Sequence, residues 1–408
     1  MTSIRNLSVV YLALILSACS LTPEHIRPDV ETPEWRETQS KENAEIVSDW
    51  WTRFESVELN ALIKQALENN NNLKASLQRV EQMRANLKMA GASLLPSADF
   101  TATYMSGSAV PMNITDQRNN FIPNYTADFG ISYELDLFGA NKAGAAAAKD
   151  RLLSSAYRHD ALALIVMGEV AQNYFNVVNL KERLRIAKDN LQATKDLLEV
   201  VEARFQTGAR TQLDITRQET QLSKAKASVS SMEQDLALAQ NALAVLVGEP
   251  PQSFYIKGKN LNGLGLPMPA ALQPAALLER RPDIKSLEAS LKAANADIGA
   301  ARAAFYPSVT IGPKLILAAS PAATAPVAAG SIFAPVFQGW RLEGNLDRVT
   351  ARQKELAETY RQSVLVAFQE AENALTKVQK TLEREQALKQ AATKAREAYG
   401  MAKNQYSL

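Results

Sequence analysis

Residues able to do chemistry are few in this chain. Its 408 residues include one cysteine and two histidines. His25 and His159 have no partners at metal-ligand spacing. No group of His, Cys or paired carboxylates gathers around a glycine-rich loop, so neither an enzyme, a metal centre nor a bound cofactor is expected. The exception is Cys19. Arg5 supplies a positive start, Val9 to Leu16 a short apolar run, and Leu16-Ser17-Ala18-Cys19 the pattern of a bacterial lipobox, whose thiol is acylated as the segment before it is cut away. The apolar run is too short to span a bilayer. Acyl chains bury CH₂ groups at about 0.8 kcal/mol each, so a multiply acylated Cys19 would be a stable tether. Ser20 rather than Asp follows it, which favours sorting to an outer membrane. The bland alternative is an ordinary signal peptide with a chance cysteine.

The rest of the chain must position that anchored end. Hydrophobic residues make up 46% and charged residues 22%, with 45 Lys and Arg against 43 Asp and Glu. That balance excludes a disordered chain and leaves no clustered basic excess for nucleic acid. Residues 1–18 read as the signal, and 19–48, with Pro23, Pro28 and Pro33, as an extended leader. Trp50, Trp51 and Phe54 then read as packing residues ahead of a helix near Leu59 to Leu67.

The clearest internal feature is a repeat. Asn72 to Phe100 lies on Asp283 to Ile311 without a gap, matching Pro96-Ser97 to Pro307-Ser308. Further on, Glu182-Arg183 matches Glu383-Arg384 and Phe205 matches Tyr406. Each copy reads helix, strand, strand, long helix. The first copy covers 49–248, with strands at 97–106 and 124–138 and long helices at 143–206 and 211–247. A linker at 249–268 leads to the second copy, 269–408, with strands at 308–317 and 330–337 and a long helix at 343–406. The second copy ends at Leu408, aligned with Thr207, so by the repeat a returning helix of about 40 residues is expected to be absent and the chain to gate poorly.

Apolar positions from Leu164 to Phe205 and from Leu346 to Val378 step by three and four, which is coiled-coil spacing. A helix over 143–206 would be roughly 95 Å long and must pack along its whole length. From Tyr125 to Leu137 every odd residue is apolar and every even one polar or small, the mark of a strand with one greasy and one wet face. A half-buried soluble hairpin and a membrane barrel strand both fit this alternation. Four strands cannot close a barrel alone, and an open edge in lipid leaves unpaired backbone groups, so strands that span must be shared among chains.

Several stretches carry a family resemblance: Leu135-Asp136-Leu137-Phe138-Gly139; Arg281-Pro282-Asp283-Ile284 with Ala293-Ala294-Asn295-Ala296 and Ala303-Ala304-Phe305-Tyr306-Pro307-Ser308; and Gly208-Ala209-Arg210-Thr211-Gln212-Leu213-Asp214. Together they resemble the TolC-type outer-membrane efflux channels, in particular the lipoprotein branch. The resemblance implies a mostly α chain with a β-barrel part: a homotrimer with a 12-stranded outer-membrane barrel continued by a periplasmic α-helical tunnel. It implies as partners a periplasmic adaptor, an inner-membrane pump and outer-membrane lipid, and as cargo small toxic molecules.

The resemblance also assigns residues. Gly208, Ala209, Arg210 and Thr211 would form the periplasmic tip that meets the adaptor, and Asp214 and Tyr406 would belong to the entrance gate. Read locally, Gly208 is a helix C-cap and Asp214 a first-turn acid favoured by the helix dipole. By alternation Asp128, Glu134 and Asp136 face the barrel lumen and favour cations slightly; Asp136 alternatively serves the strand-to-helix turn. The competing function is a periplasmic coiled-coil lipoprotein scaffold without a pore.

Overall fold

The computed structural model describes residues 21–35, 49–105, 124–267, 274–319 and 322–406. Cys19 lies outside them. After a 3₁₀ turn at Trp50–Phe54 the elements are α1 (Val57–Asn69), α2 (Asn71–Ala92), β1 (Ser97–Met105), β2 (Asn124–Leu135), α3 (Ala140–Gln206), α4 (Gln212–Val247), α5 (Pro274–Arg280), α6 (Pro282–Ala303), β3 (Ser308–Ala319), β4 (Ala322–Phe333) and α7 (Arg341–Tyr406). The duplication is visible in these bounds. Asn71 and Pro282, Ala92 and Ala303, and Ser97 and Ser308 each stand 211 residues apart, and α3 and α7 begin 201 apart.

The strands pair antiparallel in the order β1-β2-β3-β4. Two strands differ from the sequence reading by more than two residues. The fourth strand was expected at 330–337 but runs Ala322–Phe333: its alanine-rich start shows no alternation, yet it pairs with β3 along its length. Pro335, which cannot donate to a ladder, lies beyond it. The second strand was expected to reach 138 but stops at Leu135, where the backbone turns and the Leu137 N–H bonds to the Leu135 carbonyl at 2.8 Å.

Two compact units divide the described chain. The first holds the described residues up to Glu31, Arg79–Tyr157 and Arg281–Val366, and so contains the whole sheet. Its helical part centres on α6, whose face from Ile284 to Ala303 is buried. Alanines there let neighbouring helices approach closely, and Ile298 and Ala301 meet Val349 of α7. The second unit has an aliphatic core of its own. Leu59, Ile63 and Ala66 of α1 pack with Val170, Tyr174, Val177 and Val178 of α3 and with Leu243 and Val247 of α4. Trp50, Trp51 and Phe54 pack against it, Phe54 meeting the Phe175 ring at 4.8 Å. Helix α3 contains a stretch apolar enough to cross a membrane, but its apolar residues from Val166 to Leu180 are spent on this core.

The 249–267 segment folds onto the second unit as a belt. Glu58 accepts from the N–H groups of Lys257 at 2.6 Å and Gly258 at 2.9 Å, Lys181 donates to the carbonyls of Ile256 and Gly258, and the Ile256 side chain is buried.

Candidate functional site: sheet face, strand roots and helical tip

Pairing register turns the alternation of single strands into a surface. Phe100 faces Phe129, which faces Leu315; Tyr133 faces Ile311; Leu135 faces Val309, which faces Ile332. Apolar side chains are thus in register across all four strands, and the described residues leave several of them largely uncovered: Phe100 is 67% exposed and Ile332 75%. A strand of 12 residues spans about 40 Å along its axis, enough to cross a hydrocarbon core when tilted. The outer edges of β1 and β4 have no partner strand among the described residues.

The opposite face is more polar: it carries Ser97, Asp99, Asp128, Ser132, Glu134, Thr310, Lys314 and Ser331, with Ile316, Val327 and Phe333 among them, and Asp99, Asp128, Ser132, Thr310, Lys314 and Ser331 border a shallow depression. Lys314 Nζ lies 3.1 Å from Asp128 Oδ1, a cation that the reading of Asp128 and Glu134 alone left out. Its signal was available, since Lys314 lies three residues beyond Ile311 in a run already read as a strand. Asp136 is elsewhere. It stands past the end of β2, and its carboxylate accepts from the N–H groups of Asn141 at 3.1 Å and Lys142 at 2.7 Å. That is the first-turn cap of α3, stabilised by the helix dipole, and it matches the alternative role of serving the turn.

Two of the stretches that carried the resemblance meet at this junction. Phe138 stacks on Tyr306, ring centroids 4.6 Å apart and planes 21° from parallel, fixing the start of α3 against the segment that leads into β3. At the other end of α6, Arg281 grips Asp283 with two bonds of 3.1 and 2.7 Å. Burial alone would raise the Asp283 pKa; the guanidinium and the backbone N–H of Ile284 outweigh it and hold the carboxyl below its usual value.

The leader is not free chain. Asn295 Nδ2 donates to the Pro23 carbonyl at 2.6 Å, Arg302 Nη1 to the Leu21 carbonyl at 3.3 Å, and Arg27 Nε to the Tyr360 hydroxyl at 2.7 Å. Gly299 makes room for Thr22, because a β-carbon there would stand 2.1 Å from Thr22 Oγ1. None of α6's residues was singled out from the sequence for this docking. Leu21 is therefore held against Arg302, in the last turn of α6 and six residues before β3 begins.

The α3–α4 turn is built as a tight reversal. Gly208 adopts φ +77°, its N–H bonds to the Phe205 carbonyl at 2.9 Å, and the Ala209 N–H bonds to that of Arg204 at 2.9 Å, a glycine-ended helix stop. The Asp214 carboxylate accepts from both the N–H and the hydroxyl of Thr211 at 2.9 Å each. These bonds, more than the nearby Arg210 and Arg217, hold its pKa below the ordinary aspartate value. Residues 207–213 are exposed. Tyr406 is the last residue of α7, and its side chain lies outside the described residues. No group of three or more His, Cys, Asp or Glu suited to a metal ion occurs among the described residues.

Residues 62–249 and 274–407 match the family model described as outer membrane efflux protein. The pyoverdine export outer membrane protein OpmQ of Pseudomonas aeruginosa is 33% identical over 388 residues, which cover 92% of this chain and 82% of OpmQ. The probable outer membrane lipoprotein SilC of Salmonella typhimurium is 29% identical over 393 residues, covering 92% and 83%. Among solved structures, the open state of the MtrE outer membrane channel of Neisseria gonorrhoeae superposes with a TM-score of 0.84 at 27% identity, covering 95% of this chain and 88% of that one.

Proposed function

Because the chain belongs to the outer membrane efflux protein family, we propose that it forms the trimeric exit duct of a tripartite pump, working with a periplasmic adaptor and an inner-membrane transporter. Members of this family are channel and transport proteins of the outer membrane rather than enzymes. The observation that carries the reading is the four-stranded sheet, with one in-register apolar face and two open edges. In lipid, closed barrels satisfy every strand edge, and three such sheets joined edge to edge make twelve strands. A soluble scaffold would have to cover Phe100 and Ile332, which the described residues leave 67% and 75% exposed.

In this reading the finer roles follow from placement. Asp128 and Glu134 line the barrel lumen, with Lys314 offsetting Asp128. The exposed Gly208, Ala209, Arg210 and Thr211 turn is the adaptor-facing tip, and Asp214 and Tyr406 belong to the periplasmic entrance. Acylated Cys19 enters the inner leaflet of the outer membrane, since its leader is held close to the strand roots; the description of SilC as a lipoprotein supports this. The test is extraction and assembly. The protein should come out of membranes only with detergent, as trimers that resist heat, and should restore efflux to cells lacking their own duct. A monomer extracted by salt would refute the proposal.

A further inference from the structure

Two opposite faces of α6 do different work. Lys292, Asn295, Gly299 and Arg302 follow one another at three- and four-residue steps and lie on the side that receives the leader. About half a turn away, Ala294, Asp297, Ala301 and Ala304 floor an open cleft of about 350 Å³. Its walls are Arg151 of α3 and Asn345, Arg348 and Arg352 of α7.

The charges in this cleft do not cancel. Arg151 pairs with Asp297, and Arg352 with Glu355. Arg348 donates to the side-chain oxygen of Asn345 at 3.0 Å, a partner without charge. Among the described residues that line the cleft, three guanidinium groups meet one carboxylate, Asp297; Arg352 finds Glu355 beyond the lining, and the guanidinium with no carboxylate partner is that of Arg348.

The leader fixes which way the cleft looks. A segment that carries acyl chains to the bilayer must run on the outer circumference of the assembly, because lipid surrounds the barrel and does not fill it. The cleft, on the opposite face of α6, then opens into the tunnel. Ala304 and Asn345 border it, the first four residues before β3 and the second near the start of α7, the helix that follows β4, so it lies on the strand side of these helices.

We propose that this cleft, repeated three times around the trimer, is an anion-binding collar in the tunnel wall beneath the barrel, receiving small carboxylates, sulfonates or phosphates on their way out. Guanidinium forks match such oxyanions in shape as well as charge. A walled cleft focuses the field of an unmatched charge, and arginine rings serve anion-passing pores. The collar sits against a barrel face whose acids, Asp99, Asp128 and Glu134, outnumber Lys314, so the sign of the field changes along the path. This inference rests on the channel reading and on the leader lying outside.

The experiment is single-channel recording of purified trimers in planar bilayers, with a pyrene trisulfonate added on the periplasmic side. The wild-type current should be blocked by the trisulfonate. Arg348→Glu, which inverts the unmatched charge in each protomer, should weaken the block at least about tenfold. Arg348→Gln should fall between, and heat-resistant trimers of both variants certify their assembly. Absence of block in the wild type, or equal block in wild type and Arg348→Glu, would overturn the collar. So would a variant that loses binding to anionic-lipid vesicles while its block is unchanged, since that places the cleft on the outer wall. A bilayer that stays insulating with trimers inserted would instead remove the channel reading itself.

Discussion

Gly299→Ala tests whether the leader is held as a strap. The new β-carbon would stand 2.1 Å from Thr22 Oγ1, 2.8 Å from its Cα and 2.9 Å from its Cβ. A hydroxyl can rotate away, but Cα is backbone, so the strap must lift. The bonds on either side of this point are Asn295 to the Pro23 carbonyl and Arg302 to the Leu21 carbonyl. At about 1 kcal/mol for the first and about 1.5 kcal/mol for the charge-assisted second, their loss comes to about 2.5 kcal/mol, or roughly 70-fold in the opening equilibrium. The α6 helix itself gains nearly 1 kcal/mol when alanine replaces an interior glycine, so overall stability should change little and the effect should be local. Cleavage after Glu24 by a glutamate-specific protease reports the population of lifted strap when opening is fast. Cleavage about 70 times faster, with trimer melting unchanged, is the expected result. Wild-type protection in Gly299→Ala, to within twofold, would refute the reasoning.

Other perturbations address other parts of the molecule. Phe129→Arg, at the centre of the apolar face, should cost about 2–4 kcal/mol in lipid and abolish heat-resistant trimers, whereas Thr101→Lys, on the polar face opposite Asp128, should assemble normally on a gel. Ile63→Ala, fully buried in the second unit's core, should lower stability by about 2–5 kcal/mol in denaturant melts. For His25, burial lowers the pKa and Lys292 lowers it further, against Glu288 and Asp150. The lifted leader then binds the proton more readily, so docking should weaken as pH falls below the ordinary imidazole value of 6.5, read as Glu24 cleavage relative to a peptide of residues 21–35. For Asp214, whose folded pKa is lowered, the contribution of the Thr211 bonds is complete above the ordinary carboxylate range and is lost only as pH falls through the depressed value; amide exchange at Thr211 across acid pH should show it, and Asp214→Ala should remove the dependence.

Architecture was legible in the sequence wherever periodicity was strong. Alternation from Tyr125 to Leu137 located β2, and steps of three and four located α3 and α7, because side-chain direction follows backbone geometry. The Pro-Ser pairs at 96–97 and 307–308 fixed the strand roots, so the duplication could be read before any contact was known. The alanine-rich start of β4 was not legible: alanine shows no preference for either face, and its strand is specified by pairing with β3 instead. Asp136 was ambiguous for a related reason. Strict alternation extrapolates past Leu135, where the chain has already turned and the carboxylate bonds to helix N–H groups. The arginine cleft was illegible, since Arg151, Arg348 and Arg352 lie on two helices that only α6 brings together. So was the leader's docking, because a glycine in an alanine-rich helix looks like any small residue until Thr22 is placed against it.

The duplicated junction shows how a constraint of backbone geometry can outlast the residue type that best fits it. Gly139 and Trp340 stand 201 residues apart, each immediately before a long helix, and both take positive φ, +74° and +65°. Glycine adopts that conformation freely, while for tryptophan it costs about 1–2 kcal/mol. The second copy tolerates the cost because the turn is set from both sides, by β4 paired with β3 before it and by the Gly344 N–H bonded to the Trp340 carbonyl at 2.9 Å after it. What tryptophan adds is a ring that is 75% exposed at the root of the sheet. Indole side chains are favoured at a lipid–water interface, so a Trp340 carried to that level in the assembled barrel would recover part of the cost of its backbone.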